Sequence, residues 1–202
     1  MSFEIIDNSI QVGLFLIFAL LALLEGFRTQ NRKFWILSGA YASFSMGTLY
    51  YLLYLVILGR VPQIFYVSEI AWMASYLFLL ALCLIETQKY RRTVDTLCGI
   101  LTVIEVLTVI GWKIFGPSYP FSIAFAAVTA IIFYYALVGF RKEKRRLLCS
   151  MAVLIVLQLL LYIVSVFMKD YTHFNLYFAV DFLLMLTMCS LCFWLKKEGG
   201  CR

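Results

Sequence analysis

The chain alternates between long apolar segments and short polar connections. Each of seven apolar segments is long enough to form a helix across a bilayer, which needs roughly 20 residues at 1.5 Å per residue. Gly, Pro and clusters of charged residues separate these segments and end the predicted helices. The predicted helices cover residues 10–27, 34–58, 67–87, 94–113, 121–140, 147–167 and 175–195.

Composition decides which solvent surrounds these helices. Of the 202 residues, 64% are hydrophobic and only 14% are charged, and the mean hydropathy is +0.94. A water-soluble domain of this size could not bury so much apolar surface, so the surrounding medium must be lipid. We therefore predict an all-α, polytopic integral membrane protein, with one seven-helix transmembrane domain over residues 1–202 and the lipid bilayer as its first partner.

Basic residues lie on alternate connections between the predicted helices. Fourteen Lys and Arg residues follow helices one, three, five and seven, whereas the opposite side carries only Arg60, Lys113 and Lys169. Because basic residues mark cytoplasmic loops, this asymmetry predicts an external N-terminus and a cytoplasmic C-terminus in the plasma (inner) membrane. It also accounts for the net charge of +6 without a nucleic-acid partner.

Two features predict how the helices pack. Gly39, Ser43 and Gly47 recur at four-residue spacing on helix two, and small residues in this pattern allow a neighbouring helix to approach closely. Glu105 lies at the centre of helix four among Leu, Ile, Val and Thr. An acid at mid-bilayer is costly, so we expect helix four to be substantially buried, and the six other apolar segments, three before it and three after it in the chain, can cover it.

The remaining acids fall into two groups. Glu25, Glu86 and Asp95 lie at cytoplasmic helix ends beside Arg28, Lys89 and Arg91/Arg92, and these are expected to form interfacial ion pairs. Glu69, Glu105 and Asp181 instead lie inside predicted spans, away from the basic connections. Acids inside a membrane span usually face a protein interior or a wet cavity and often have a function.

Aromatic and polar residues accompany these intramembrane acids. Trp72 and Tyr76 follow Glu69 on one face of helix three, and helix six carries Gln158 and Tyr162 on one face. If these faces converge, they line a pocket open to the outside with Glu105 as its floor. The predicted ligand- or proton-binding residues are Glu69, Trp72, Tyr76, Glu105, Gln158, Tyr162 and Asp181.

Glu105 has two possible roles. No Lys or Arg lies at its depth in any predicted helix, and desolvation then favours the protonated form. A protonated carboxyl group can donate a hydrogen bond to Gln158 or to a Thr, or it can exchange its proton during a transport or signalling cycle. The alternative is a structural hydrogen bond that joins two helices.

Several classes of activity find no support in the sequence. His173 is the only histidine, so a multi-histidine zinc site cannot form, and the G-x-S-x-G and H-E-x-x-H motifs are absent. Helix seven has no buried Lys for a retinal Schiff base. Pro62-Gln63 matches the PQ-loop transporters at one dipeptide only. We therefore expect a protein that is not an enzyme, with no cofactor and no metal site.

The hairpin from Lys33 to Leu84 resembles part of the seven-helix membrane sensor modules that precede histidine kinase or diguanylate cyclase domains in bacteria. The resemblance lies in Phe34-Trp35, the aromatic run Tyr50–Tyr54, the turn Gly59–Pro62 and the segment Ser68–Trp72 with Tyr76. It implies a sensor that acts through a separate membrane or cytoplasmic partner protein, because no output domain is part of this sequence.

Three functions are consistent with these features. We favour a receptor- or sensor-like bundle that binds a small or lipidic ligand, or a partner helix, in the outward-facing pocket. A small-solute or proton-coupled transporter is the first alternative, since helices one to three and five to seven share one orientation in a three-plus-one-plus-three arrangement. An accessory subunit of a membrane complex is the second.

Overall fold

The computed structural model is all-α and describes residues 3–59, 66–90, 92–112, 119–168 and 170–199. A 3-10 turn at Gln88–Tyr90 lies in the connection after the third helix. The seven α-helices are α1 (Phe3–Thr29), α2 (Arg32–Leu58), α3 (Tyr66–Glu86), α4 (Thr96–Gly111), α5 (Tyr119–Glu143), α6 (Arg146–Phe167) and α7 (Leu176–Gly199).

Six of the seven helices are long and apolar enough to cross a membrane, which supports a multi-pass membrane protein. The exception is α4, whose 16 residues extend over about 24 Å at 1.5 Å per residue. This is shorter than the roughly 30 Å hydrocarbon core of a bilayer. The predicted span at residues 94–113 ends in part outside the described residues, since 113–118 are not among them.

Helix α1 begins at Phe3 rather than at residue 10, so the prediction of its start was wrong. Two backbone hydrogen bonds hold its first turn against the connection between α6 and α7. The amide of Phe3 donates to the carbonyl of Thr172 at 3.1 Å, and the amide of Glu4 donates to the carbonyl of Tyr171 at 3.3 Å. These contacts provide acceptors for amides that a helix start otherwise leaves unpaired.

Six helices form a closed ring. Along this ring α1 packs on α2, α2 on α3, α3 on α5, α5 on α6, α6 on α7, and α7 returns to α1. Helix α4 lies outside the ring and packs chiefly against α5. Helices α3 and α5 therefore contact each other directly within the ring. Helix α4, which connects them in the chain, lies outside this contact.

The prediction that α4 is substantially buried was wrong. Ile100, Val103 and Leu107 are each more than half exposed, and the buried residues are Cys98, Glu105 and Val109. One neighbouring helix covers the single face that carries the acid. Because the other faces of α4 are apolar, lipid can solvate them, and no further protein contact is required.

The small-residue edge of α2 packs closely against α3, as predicted. A Cβ atom added at Gly39 would lie 2.9 Å from the ring of Phe78. One added at Gly47 would lie 2.9 Å from the ring of Trp72 and 3.0 Å from the carbonyl oxygen of Ser68. Both glycines therefore let the two helices approach closely, and at Gly47 a larger residue would also meet the backbone of α3.

Helix α2 ends at a left-handed cap. Gly59 has a φ of 61°, and its amide donates to the carbonyl of Leu55 at 3.1 Å. This is the glycine conformation that commonly ends helices. The rest of the predicted turn, residues 60–62, lies outside the described residues, as do Gln63, Lys113 and Lys169.

Charged residues gather at one end of the bundle, which we call the basic end: the C-terminal ends of α1, α3, α5 and α7 and the N-terminal ends of α2, α4 and α6. Glu86 is the centre of its ion pairs, with a side chain only 2% exposed. It lies 2.6 Å from Lys33 and 2.5 Å from Arg145, and Arg145 also lies 2.8 Å from Glu198. This network joins α2, α3, α6 and α7.

The predicted ion pairs form, but mostly with other partners. Glu86 pairs with residues from neighbouring helices rather than with Lys89, which contacts Glu143. Asp95 pairs with Arg141 of α5 at 2.7 Å rather than with Arg92. The reason is that antiparallel packing brings several helix ends together, so the nearest cation in space belongs to another helix. Glu25 does pair with Arg28, at 3.9 Å, and more closely with Lys196, at 3.1 Å.

Candidate functional site: an acidic cavity lined by aromatic residues

A cavity of about 390 Å³ lies at the end of the bundle opposite the basic end. We call it the acidic cavity. Its walls come from the first three turns of α1, the second half of α2, the first half of α3, the second half of α6 and the first half of α7, and Tyr171 contributes from the connection between α6 and α7. A cavity of this size is in the range of small-molecule binding sites.

One wall carries two buried carboxyl groups that share a donor. The side-chain amide of Gln11 donates to Oδ2 of Asp7 at 3.0 Å and also to Oδ2 of Asp181. Asp7 is 6% exposed and Asp181 is 3% exposed. Both carboxyl groups therefore lie beside the same side-chain amide, within one wall of the cavity.

A third acid completes the negative wall. Glu4 lies one helical turn before Asp7, and its Oε1 accepts a hydrogen bond of 2.7 Å from the hydroxyl of Tyr51. Among the described residues that line the cavity there is no Lys, Arg or His. The negative wall therefore has no cationic side chain to balance it.

The facing wall is polar and neutral. The hydroxyl of Tyr76 on α3 donates to the side-chain oxygen of Gln158 on α6. The indole N–H of Trp72 donates to the hydroxyl of Thr48 at 3.3 Å. These bonds fix the side chains of α3 and α6 around the cavity.

Aromatic rings make up much of the lining. Phe125 supports two of them from behind: its ring packs edge-on against Tyr76 at 5.2 Å and against Tyr162 at 6.1 Å between centroids. Edge-on pairs of this kind are favourable beyond their buried area. The aromatic residues that line the cavity are Phe44, Tyr51, Trp72, Tyr76, Tyr162, Tyr171, Tyr177 and Phe178.

The structure brings five of the seven predicted site residues together at one cavity. They are Trp72, Tyr76, Gln158, Tyr162 and Asp181. The expected convergence of α3, α6 and α7 is therefore present in the fold. That these side chains bind a ligand stays a prediction.

Glu105 does not form the floor of the cavity. Its Oε1 lies 2.6 Å from the hydroxyl of Thr129 on α5, and its Oε2 has no hydrogen-bond partner among the described residues. The expected bond to Gln158 is absent because Gln158 faces Tyr76 across the cavity. The bond to a Thr is present, but from another helix, so the geometry matches the contact between two helices better than a ligand site.

Glu69 also lies outside the lining. It is 7% exposed in the first turn of α3, and its Oε2 has no hydrogen-bond partner among the described residues. It is close enough to Tyr162 for an electrostatic interaction with that hydroxyl. Glu69 is therefore a neighbour of the cavity wall rather than a part of it.

Helix α1 contributes polar side chains to the cavity that were not predicted from the sequence. Glu4, Asp7 and Gln11 occupy positions i, i+3 and i+7, which lie on one face of a helix. This spacing was the available signal, but a predicted helix start at residue 10 removed two of the three from consideration. The polar residues are compatible with the helix because their shared face lines a cavity and does not contact lipid.

Neither a metal-ligand arrangement among the described residues nor a comparison with known proteins indicates the role of this cavity. Within the described ranges, no three His, Cys, Asp or Glu side chains are arranged to hold a metal ion. Comparisons with protein-family models, with curated proteins and with solved structures gave no match. The function must therefore be argued from the geometry of the cavity.

Proposed function

We propose that the protein is a non-enzymatic, receptor-like membrane protein that binds a small ligand in the acidic cavity and signals through a separate partner. The observation that carries this proposal is the cavity itself, which combines apolar aromatic walls with a few converging polar groups. That combination is typical of small-molecule sites. A volume of about 390 Å³ suits a small molecule better than a partner helix, whose diameter with side chains is about 10 Å.

The core beneath the cavity supports binding rather than passage. Tyr41 is fully buried there, and its hydroxyl donates to the carbonyl of Met188 at 2.8 Å. Phe15 is also fully buried and stacks on Tyr41 with 6.1 Å between ring centroids. These side chains separate the cavity from the basic end, and a solute would need a large rearrangement to cross them.

The basic end supplies a route for the signal. Helices α1, α2, α3, α6 and α7 all line the cavity, and the same helices are joined at their opposite ends by the ion pairs of Glu86 and Glu25. A ligand that changes the spacing of these helices at the cavity would therefore change the arrangement of charges presented to a partner. In our proposal the basic end faces the cytoplasm, as the positive-inside rule favours.

Ligand-dependent stabilisation of the purified protein tests the binding function. The protein in lipid nanodiscs is screened by thermal unfolding against neutral, cationic and anionic small molecules, because a ligand of the folded state raises the unfolding temperature. Leu161→Phe reduces the space in the cavity, which Leu161 lines at 8% exposure. The matched control is Leu160→Phe, at the neighbouring position with 42% exposure.

We expect a ligand that stabilises the wild type and Leu160→Phe but not Leu161→Phe. The proposal fails if no compound shows this pattern, or if vesicles that contain only this protein accumulate the ligand, which would indicate a transporter.

Orientation is tested separately by reporter fusions at residues 60, 116 and 170. All three should report an external position, and a cytoplasmic signal at any of them contradicts the proposed topology.

A further inference from the structure

We propose that the ligand of the acidic cavity is an organic cation, an amine or quaternary ammonium ion with an apolar body. This inference rests on the proposed binding function. Three features of the cavity carry it: buried carboxyl groups without a cationic partner, a lining of aromatic rings, and several hydrogen-bond donors that already bond to protein acceptors.

The first feature is unbalanced negative charge. Asp7 and Asp181 are at least nine-tenths buried, both line the cavity, and none of the described lining residues is basic. A buried carboxylate without a cationic partner is costly. A bound cation would supply the missing partner. A metal ion does not fit, because the described acids are not arranged as metal ligands.

The second feature is the aromatic lining. Trp and Tyr rings attract cations through the negative potential of their faces, and this interaction strengthens when water is excluded. Trp72 and Tyr76 lie on α3, Tyr162 lies on α6 and Tyr177 lies on α7, so rings approach the cavity from several sides. The same rings can contact the apolar body of an amphiphilic cation, which a small inorganic ion lacks.

The third feature is that four of the lining donors already bond to protein acceptors, which disfavours an anion. The Gln11 amide donates to the two aspartates, and the Tyr51 hydroxyl donates to Glu4. The Tyr76 hydroxyl donates to Gln158, and the Trp72 indole donates to Thr48. An anionic ligand would have to replace these bonds and would also meet three acids.

A set of three probes of similar size tests the inference in nanodiscs. They are benzyltrimethylammonium, its neutral isostere neopentylbenzene, and the anion phenylacetate. Binding is followed by thermal shift and by the fluorescence of Trp72, measured against a Trp72→Phe variant. We expect the cation to bind at least about tenfold more tightly than the neutral isostere, and the anion not to bind.

Charge-neutralising variants test which carboxyl groups are responsible for binding of the cation. Asp181→Asn and Asp7→Asn keep side-chain size and should weaken binding of the cation by about tenfold or more, with no loss for the neutral probe. The control is Glu105→Gln, which removes a buried acid outside the cavity and should leave the affinity for the cation unchanged. Thermal unfolding without ligand identifies any variant that fails to fold. In that case Glu4→Gln, at a half-buried position on the same wall, tests whether loss of a negative charge weakens binding of the cation.

The outcomes separate this inference from the proposed function. If the neutral probe binds as tightly as the cation and Leu161→Phe abolishes its binding, the cavity binds ligands but the preference for cations is refuted. If cation binding survives both aspartate substitutions, the inference is also refuted. If no probe of any charge and no screened compound shows binding that depends on Leu161, both the inference and the proposed function fail.

Discussion

Gln11 and Asp181 are 170 positions apart in the sequence, yet the amide of Gln11 donates a hydrogen bond to the carboxyl group of Asp181. This bond joins α1 to α7, the contact that closes the ring of six helices. The same amide also donates to Asp7 at 3.0 Å. One neutral side chain therefore organises both the closure of the bundle and the negative wall of the cavity.

Replacing Gln11 with Leu should destabilise the protein. The substitution removes the donor for two buried carboxyl groups, and an unsatisfied buried acceptor costs about 1–3 kcal/mol. Reversible unfolding in bicelles measures the free-energy change. Ser9→Ala is the control, because Ser9 is exposed and its hydroxyl bonds only to its own helix. Equal stability of the two variants would show that the Gln11 bonds contribute nothing.

A pair of glycine substitutions tests the close contact of α2 with α3. Gly47→Ala places a methyl group against the Trp72 ring and the Ser68 carbonyl, and overpacking of this kind costs about 1–3 kcal/mol. Gly13→Ala meets no atom within 4 Å and should leave the free energy of unfolding unchanged or slightly improved. Equal changes in the free energy of unfolding at both positions would show that the close contact at Gly47 does not limit side-chain size.

The positions of the helices could be predicted from sequence because each depends on a local property. The six long apolar segments, the glycine edge of α2 and the cluster of basic helix ends follow from composition, spacing and chain direction alone. The place of α4 could not be predicted in this way. Whether one helix or several cover Glu105 depends on contacts between distant segments, and the direct contact of α3 with α5 leaves no room for α4 between them.

The site was predictable on α3, α6 and α7 but not on α1. Trp72 and Tyr76 on α3 and Gln158 and Tyr162 on α6 each share a face by spacing, so their convergence needed only antiparallel packing. For α1, the predicted span started at residue 10, which left Glu4 and Asp7 outside it. Hydropathy averages over all faces of a helix, and it cannot distinguish a polar face that lines a cavity from a segment that lies outside the membrane.

Acid should loosen the connection that covers the start of α1. The hydroxyl and the amide of Thr172 donate to Asp170 at 2.6 and 2.8 Å and hold the pKa of that carboxyl group below its ordinary value. A group with a lowered folded-state pKa stabilises the fold above its unfolded pKa of about 3.9, and this contribution is lost as the pH falls through the folded value.

Hydrogen exchange at the amides of Phe3 and Glu4 measures this effect, because those amides bond to the carbonyls of Thr172 and Tyr171. Relative to Asp170→Ala, the wild type should show greater protection near pH 6, and the difference should disappear as the pH falls below about 4. A difference that persists at low pH, or one that is absent near pH 6, contradicts the assignment to Asp170.

The carboxyl group of Glu105 contacts Thr129 of α5 and does not line the cavity. Glu105→Leu would be harmful if it left a polar partner unpaired in the core. The only partner in the described residues is Thr129, whose hydroxyl also lies 2.9 Å from the carbonyl of Phe125 and can donate there instead. Since Oε2 of Glu105 has no partner, the substitution removes an unsatisfied buried atom. Glu105→Leu should therefore be as stable as the wild type or more stable.

The reciprocal substitution should have the opposite effect. Thr129→Val keeps the side-chain shape but leaves the Glu105 carboxyl group with no described partner, at a cost of about 1–3 kcal/mol. In the Glu105→Leu background the same Thr129→Val change should cost much less, because the acid is gone. A double-mutant cycle measured by unfolding in bicelles gives this difference as the coupling energy of the pair. Coupling near zero, or a loss of ligand binding in Glu105→Leu, would show that Glu105 is not a contact between α4 and α5 alone.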